Sequence, residues 1–132
     1  MEKTIFFTII LICFAQLLPA QQAGKVQVSS TLEVLTKHPW VKTHDQFGTV
    51  QLEFTKDLTY TVTLKSNNET ITGTFSLKGD LLTFETDSSC RMKGEYTISV
   101  IKETVTFILK EDQCSGRNEI TPGIWKALKL GD

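Results

Sequence analysis

Between Val50 and Leu109 apolar and polar residues alternate with a period of two, broken only by short turns, and this alternation constrains the fold more than any other feature. In "TVQLEFT" the apolar set is Val50, Leu52 and Phe54; in "LTYTVTLK" it is Leu58, Tyr60, Val62 and Leu64, with Thr59, Thr61 and Thr63 between them. "TITGTFSLK" sets Ile71, Gly73, Phe75 and Leu77 against Thr70, Thr72, Thr74 and Ser76, and "LLTFET" continues with Leu82, Phe84 and Thr86. Further on come Tyr96, Ile98 and Val100, then Val105, Phe107 and Leu109. Successive strand residues point to opposite faces, so each run has one apolar and one threonine-rich face. A helix would scatter the same residues around its circumference.

The breaks between runs fall into two classes. Lys78-Gly79-Asp80-Leu81, with glycine first, suits a two-residue type II′ hairpin; Thr55-Lys56-Asp57 and Lys102-Glu103 are also tight. His44–Phe47, Ser66–Glu69, Asp87–Lys93 and Asp112–Gly116 are longer. Tight and long connections alternate, so an up-and-down meander gathers the tight turns at one end and the long loops at the other. A short strand starting near Trp40 and a last one from Arg117 to about Thr121 bring the count to eight. The expected fold is therefore all-β: an eight-stranded antiparallel up-and-down β-barrel, closed so that no edge is exposed. "SSTLEVLTKHP" supplies a short N-terminal helical segment, capped at Ser30 and stopped before Pro39. "PGIWKALKL" reads equally well as extended or helical.

The 132 residues suffice for one domain, and a net charge of −1 with interspersed signs gives no basic patch for nucleic acid. Lys3, the apolar stretch Ile5–Leu18 and Pro19-Ala20 read as a signal peptide over residues 1–20, too short to span a bilayer. A loose segment, 21–29, then precedes a domain over 30–132. The mature chain is expected to be secreted or periplasmic and monomeric, with no transmembrane segment. Losing the signal removes Cys13 and leaves Cys90 and Cys114, an even pair that an oxidising compartment would bridge; two unpaired thiols are the alternative. Pairing Val100 with Val105, Ile98 with Phe107 and Tyr96 with Leu109 brings Cys90 opposite residue 115, next to Cys114.

The spacing Cys90, Gly94, Tyr96, Leu109, Asp112, Cys114, Arg117 resembles a pattern of small secreted bacterial lipocalin-like proteins. "FTKDLTY" followed by "GTFSLKGDLLTF" is similar to their middle section, and Trp40 to their N-terminal tryptophan; the resemblance spans about residues 37–125. It implies a calycin-type barrel that binds a small, largely apolar molecule in its interior. Two departures stand out. His38-Pro39-Trp40 lacks a glycine two places before the tryptophan, and Arg117 would begin the last strand, so a lipocalin tryptophan–arginine contact is not transferred.

Strand pairing places Tyr60, Phe75 and Phe84 in one row toward the tight turns, where they should plug the barrel. Toward the long loops the corresponding row, Val62, Gly73 and Thr86, is small and would leave room for a ligand; alternatively Gly73 only relieves strand coiling. Arg91 and Arg117 flank the expected disulfide at that rim. They could bind an anionic headgroup or pair with Asp87, Asp112 or Glu119. Tyr96 points inward nearby and could donate a hydrogen bond. His38, His44 and Asp45 make a poor metal set, and no nucleophile with an evident base, phosphate loop or zinc spacing appears, so neither a cofactor nor an enzymatic activity is expected. The expected function is binding of a small apolar or amphipathic molecule in the barrel through Val62, Gly73, Thr86, Tyr96, Arg91 and Arg117. The alternative is a secreted interaction or inhibitor protein that uses the rim loops to bind another protein.

Overall fold

A computed structural model describes residues 31–129, so the expected signal peptide and loose segment lie outside the described residues. The period-two alternation produces eight antiparallel strands: β1 (Trp40–His44), β2 (Gly48–Phe54), β3 (Thr59–Leu64), β4 (Glu69–Lys78), β5 (Leu81–Asp87), β6 (Gly94–Ile101), β7 (Thr104–Asp112) and β8 (Gly123–Ala127). Each pairs with the next, and β8 pairs back onto β1 through Trp40↔Ala127 and Val41↔Lys126, which closes the barrel. The inward residues Leu52, Phe54, Tyr60, Phe75, Leu82, Phe84, Tyr96, Val105, Phe107 and Trp125 form one buried core. Among the described residues no helix is long and apolar enough to cross a membrane.

The two ends of the barrel are finished differently. A first helix, α1, covers residues 31–37 and stops before Pro39, whose ring disfavours helical backbone in the preceding residue. Its Leu35 is fully buried, and the Leu35 carbonyl accepts a 3.0 Å bond from the Trp40 indole N–H. Thr36–Pro39 lie beside Glu53–Thr55, so α1 covers the tight-turn end. At the long-loop end a second helix, α2 (Ser115–Ile120), sits between β7 and β8.

Two expectations are corrected here. The last strand is Gly123–Ala127 rather than Arg117–Thr121. Pro122 has no N–H to give a ladder, Gly123 turns the chain at φ +112°, and only then does Trp125 alternate inward opposite Val105 while Ile124 and Lys126 face out. Leu58, expected to point inward, is a turn residue at φ +64° and 40% exposed; its carbonyl accepts the Phe75 N–H.

Two β-bulges bend the simple alternation. The β4–β5 register steps from Phe75↔Phe84 to Thr74↔Thr86, leaving Glu85 unpaired, and the β6–β7 register steps from Tyr96↔Leu109 to Glu95↔Glu111, leaving Lys110 unpaired. An extra residue inverts the facing of everything beyond it. Asp87 and Asp112 are thereby turned into the barrel, while Thr86 pairs with Thr74 on the exposed outer face.

Cys90 and Cys114 are bridged, with Cα atoms 6.2 Å apart and a sequence separation of 24. Closing a loop of that length stabilises by roughly 3 kcal/mol in the chain-entropy model. Labelling the unfolded, unreduced protein should find neither thiol reactive, and the Cys90→Ser/Cys114→Ser double variant should lose about 3 kcal/mol in denaturant titrations; two labelled thiols per chain would refute the bridge.

Candidate functional site

At the long-loop end the interior is open. A cavity of about 460 Å³ is lined by apolar side chains from three sides: Phe47 after β1, Val62 and Leu64 of β3 with Ile71 of β4, and Ile120 and Trp125 around β8. Tyr60 and Phe84, with ring centroids 4.7 Å apart, form its floor above the aromatic core. Both cysteines of the disulfide lie in its wall. The charged residues among its lining are Glu69, Asp87 and Arg117.

Arg117 is the centre of this end. The first turn of α2 carries it inward, where its side chain is 8% exposed and pairs with Asp87 and Asp112, themselves 3% and 0% exposed. Its Nε and one terminal nitrogen grip Asp112 as a fork, at 2.7 Å to Oδ2 and 2.9 Å to Oδ1. The other terminal nitrogen donates to Asp87 Oδ2 at 3.1 Å, and the Met92 carbonyl accepts a further bond at 2.6 Å. The guanidinium carbon lies 5.6 Å from the Phe84 ring centroid, which adds a cation–π contact.

Each carboxylate has a tyrosine and a loop to itself. Asp87 accepts from the Tyr60 hydroxyl at 2.8 Å, from the backbone N–H groups of Ser89 and Cys90, and from the Ser89 hydroxyl. Asp112 accepts from the Tyr96 hydroxyl at 2.5 Å and from the Cys114 N–H at 3.0 Å. Burial alone would raise both acids, but the bonds to the ionised forms, from Ser89 and Tyr60 on Asp87 and from Arg117 and Tyr96 on Asp112, hold both below the ordinary aspartate value. Burial and the neighbouring carboxylates push both tyrosine hydroxyls well above their usual value near 10.

Space for this cluster is made by two glycines. A Cβ on Gly94 would collide with the Asp112 carboxylate and stand 2.8 Å from an Arg117 nitrogen; one on Gly73 would collide with the Thr86 carbonyl and stand 2.8 Å from both Asp87 Cβ and Tyr60 Cε1. On the far side Lys42 Nζ donates to the carbonyls of Ile120 (2.8 Å) and Pro122, anchoring the end of α2, and burial lowers its pKa.

The residues expected at the site are therefore separated. Val62 and Arg117 are on the cavity wall. Gly73 does not share a row with Val62, because β3 and β4 pair Tyr60 with Gly73 and Val62 with Ile71. The Tyr60 ring therefore fills the space beside Gly73, and Thr86 is outside the barrel because of the β5 bulge. Tyr96 is buried below the cavity with its hydroxyl on Asp112, and Arg91 is an exposed loop residue away from the lining. Arg117 pairs with two of the three acids that its position allowed. Phe47, Ile71, Ile120 and Trp125 were not foreseen as lining. For Trp125 the only signal was its size, because "PGIWKALKL" reads equally as extended or helical and Ile124 beside it is apolar too.

Comparison with family models, with curated proteins and with solved structures finds no match.

Three outcomes are expected of this cluster. Because folding lowers both aspartate pKa values, their stabilisation is complete above the ordinary carboxylate range and is lost as pH falls through the folded values. Thermal unfolding should thus be insensitive to these acids from pH 7 to about pH 5 and should weaken below about pH 4. Tyrosinate absorbance should stay absent in the folded protein at about pH 11, where a free tyrosine is mostly ionised, and appear on unfolding. Gly94→Ala should destabilise by about 1–3 kcal/mol in denaturant titrations, since the added methyl displaces a fixed ion pair.

Proposed function

We propose that the protein is a secreted lipocalin-like carrier that binds a small apolar or amphipathic molecule in the long-loop cavity. The observation that carries this reading is the cavity itself: about 460 Å³, walled by aliphatic and aromatic side chains, with a few polar groups at its base. That combination is typical of small-molecule sites, which commonly measure about 300–1,000 Å³. An open interior favours a carrier over a rim-binding inhibitor, for which a filled barrel is expected. Binding is favoured over catalysis because Asp87, Asp112 and Arg117 at the floor are committed to one another as ion pairs. The disulfide supports an oxidising compartment, since such bridges are rare in the cytosol.

Val62 offers the test, as it is half-buried on the cavity wall and makes no polar contact among those described. An apolar fluorescent probe should bind the delipidated protein with one-to-one saturation. Val62→Trp should fill the cavity and weaken that binding by about tenfold or more, roughly 1.4 kcal/mol, while circular dichroism shows the barrel retained. A parent protein that binds no apolar probe overturns the carrier reading.

A further inference from the structure

From the internal ion pairing of the charged floor we infer that the cavity is selective by charge: its natural ligand is an uncharged amphiphile, and carboxylates are rejected. The inference rests on the carrier reading above and specifies the ligand class for that same cavity.

An arginine with a free fork in an apolar pocket can receive a carboxylate, because its planar fork offers two parallel donors. Here the fork is already closed on Asp112, the remaining terminal nitrogen is on Asp87, and the Met92 carbonyl takes a further donor. An incoming carboxylate finds no free pair of N–H groups, only the second hydrogen of the terminal nitrogen that holds Asp87. It also meets the wrong sign of charge. Two buried carboxylates surround one guanidinium, so this cluster carries a net negative charge beneath the cavity, and Glu69 adds another at the rim. A nearby cation, Lys42, stands behind Ile120 and Trp125, with its Nζ on the Ile120 carbonyl and 5.6 Å from the Trp125 ring. Burying an anion there costs its hydration and gains repulsion, which is the combination that drives a carboxyl group to its neutral form.

A cationic headgroup is not favoured either. Both oxygens of Asp87, the carboxylate that faces the cavity, are occupied by Tyr60, Arg117, Ser89 and Cys90. An ammonium would lose its water without gaining an acceptor at the floor. An uncharged polar end loses little, and hydroxyls and amides at the mouth, on Ser89, Gln113 and Ser115, can accept from or donate to it. The remaining wall is apolar and makes no distinction among equal hydrocarbon bodies.

Dodecanol, dodecanoate and dodecylammonium, each below its aggregation threshold, separate the possibilities by isothermal titration or probe displacement on the oxidised protein. Dodecanol should bind best at neutral pH, with dodecanoate weaker by about tenfold or more and dodecylammonium weaker than dodecanol. Dodecanoate should recover toward dodecanol as pH falls through the fatty acid's own pKa while the protein remains folded. Two variants check the cause. Glu69→Gln, on an exposed rim residue, should narrow the alcohol-to-carboxylate ratio, and Asp87→Asn, where it folds, should narrow it further. Dodecanoate binding as tightly as dodecanol, or dodecylammonium binding more tightly, overturns the inference while leaving a carrier. Absence of binding by all three, together with failure of the apolar probe, removes the carrier reading itself.

Discussion

A guanidinium drawn out of water loses several kcal/mol of hydration unless charged partners replace it, and Arg117 is drawn almost wholly inside the barrel. Asp87 and Asp112 replace that hydration, and much of the long-loop end is arranged so that they can. The acids in turn need hydrogen bonds for their remaining lone pairs, which Tyr60, Tyr96 and the backbone of the two following loops provide. No buried side-chain nitrogen or oxygen among the described residues is left without a partner. Such a cluster adds little net stability compared with an apolar replacement, but removing one member typically costs about 3–5 kcal/mol because the others stay buried and unpaired. Its effect is to hold α2 and the rim loops in one arrangement.

The cluster is built twice over from similar parts. Asp87 stands in register with Gly73, and Asp112 with Gly94. Each acid follows a bulge, each accepts a tyrosine hydroxyl, and each accepts the N–H of a residue two places further on, Ser89 or Cys114. The loops so shaped carry the two cysteines. Arg117 and the disulfide therefore join the same pair of loops, one by charge and one covalently. The glycines are as necessary as the acids, since a methyl group at either would occupy the space that the pairing needs.

This arrangement divides the interior. From the tight-turn end to the middle, Phe54, Phe75, Phe84 and Phe107 pack with Tyr60 and Tyr96, and α1 closes the base with Leu35. Above Tyr60 and Phe84 the strands β3 and β4 contribute only the aliphatic side chains Val62, Leu64 and Ile71, and α2 lines the cavity with Ile120 rather than filling it. The void persists because its rim is held by ion pairs and a disulfide and cannot simply collapse inward. Open apolar space above a charged floor whose members bond one another is the arrangement on which the proposed preference for uncharged ligands rests.

The amino-acid sequence alone determined the number of strands, their antiparallel order and the segregation of tight turns from long loops, because these depend on local alternation and turn chemistry. It brought Cys90 close to Cys114 but left the bridge itself open. The same logic located open space at the long-loop end through Val62. It failed where a single extra residue matters. Period two assigns Thr86 to the interior, but the bulge at Glu85 exchanges it for Asp87, and the bulge at Lys110 does the same for Asp112. Likewise Gly73 was legible as a small residue facing in, but not as one whose space the Tyr60 ring already fills. Arg117 was legible as a rim arginine with acids within reach. Only the tertiary structure decided that it pairs with two of them at once, because that choice depends on where α2 ends, on both bulges and on the desolvation of all three charges together.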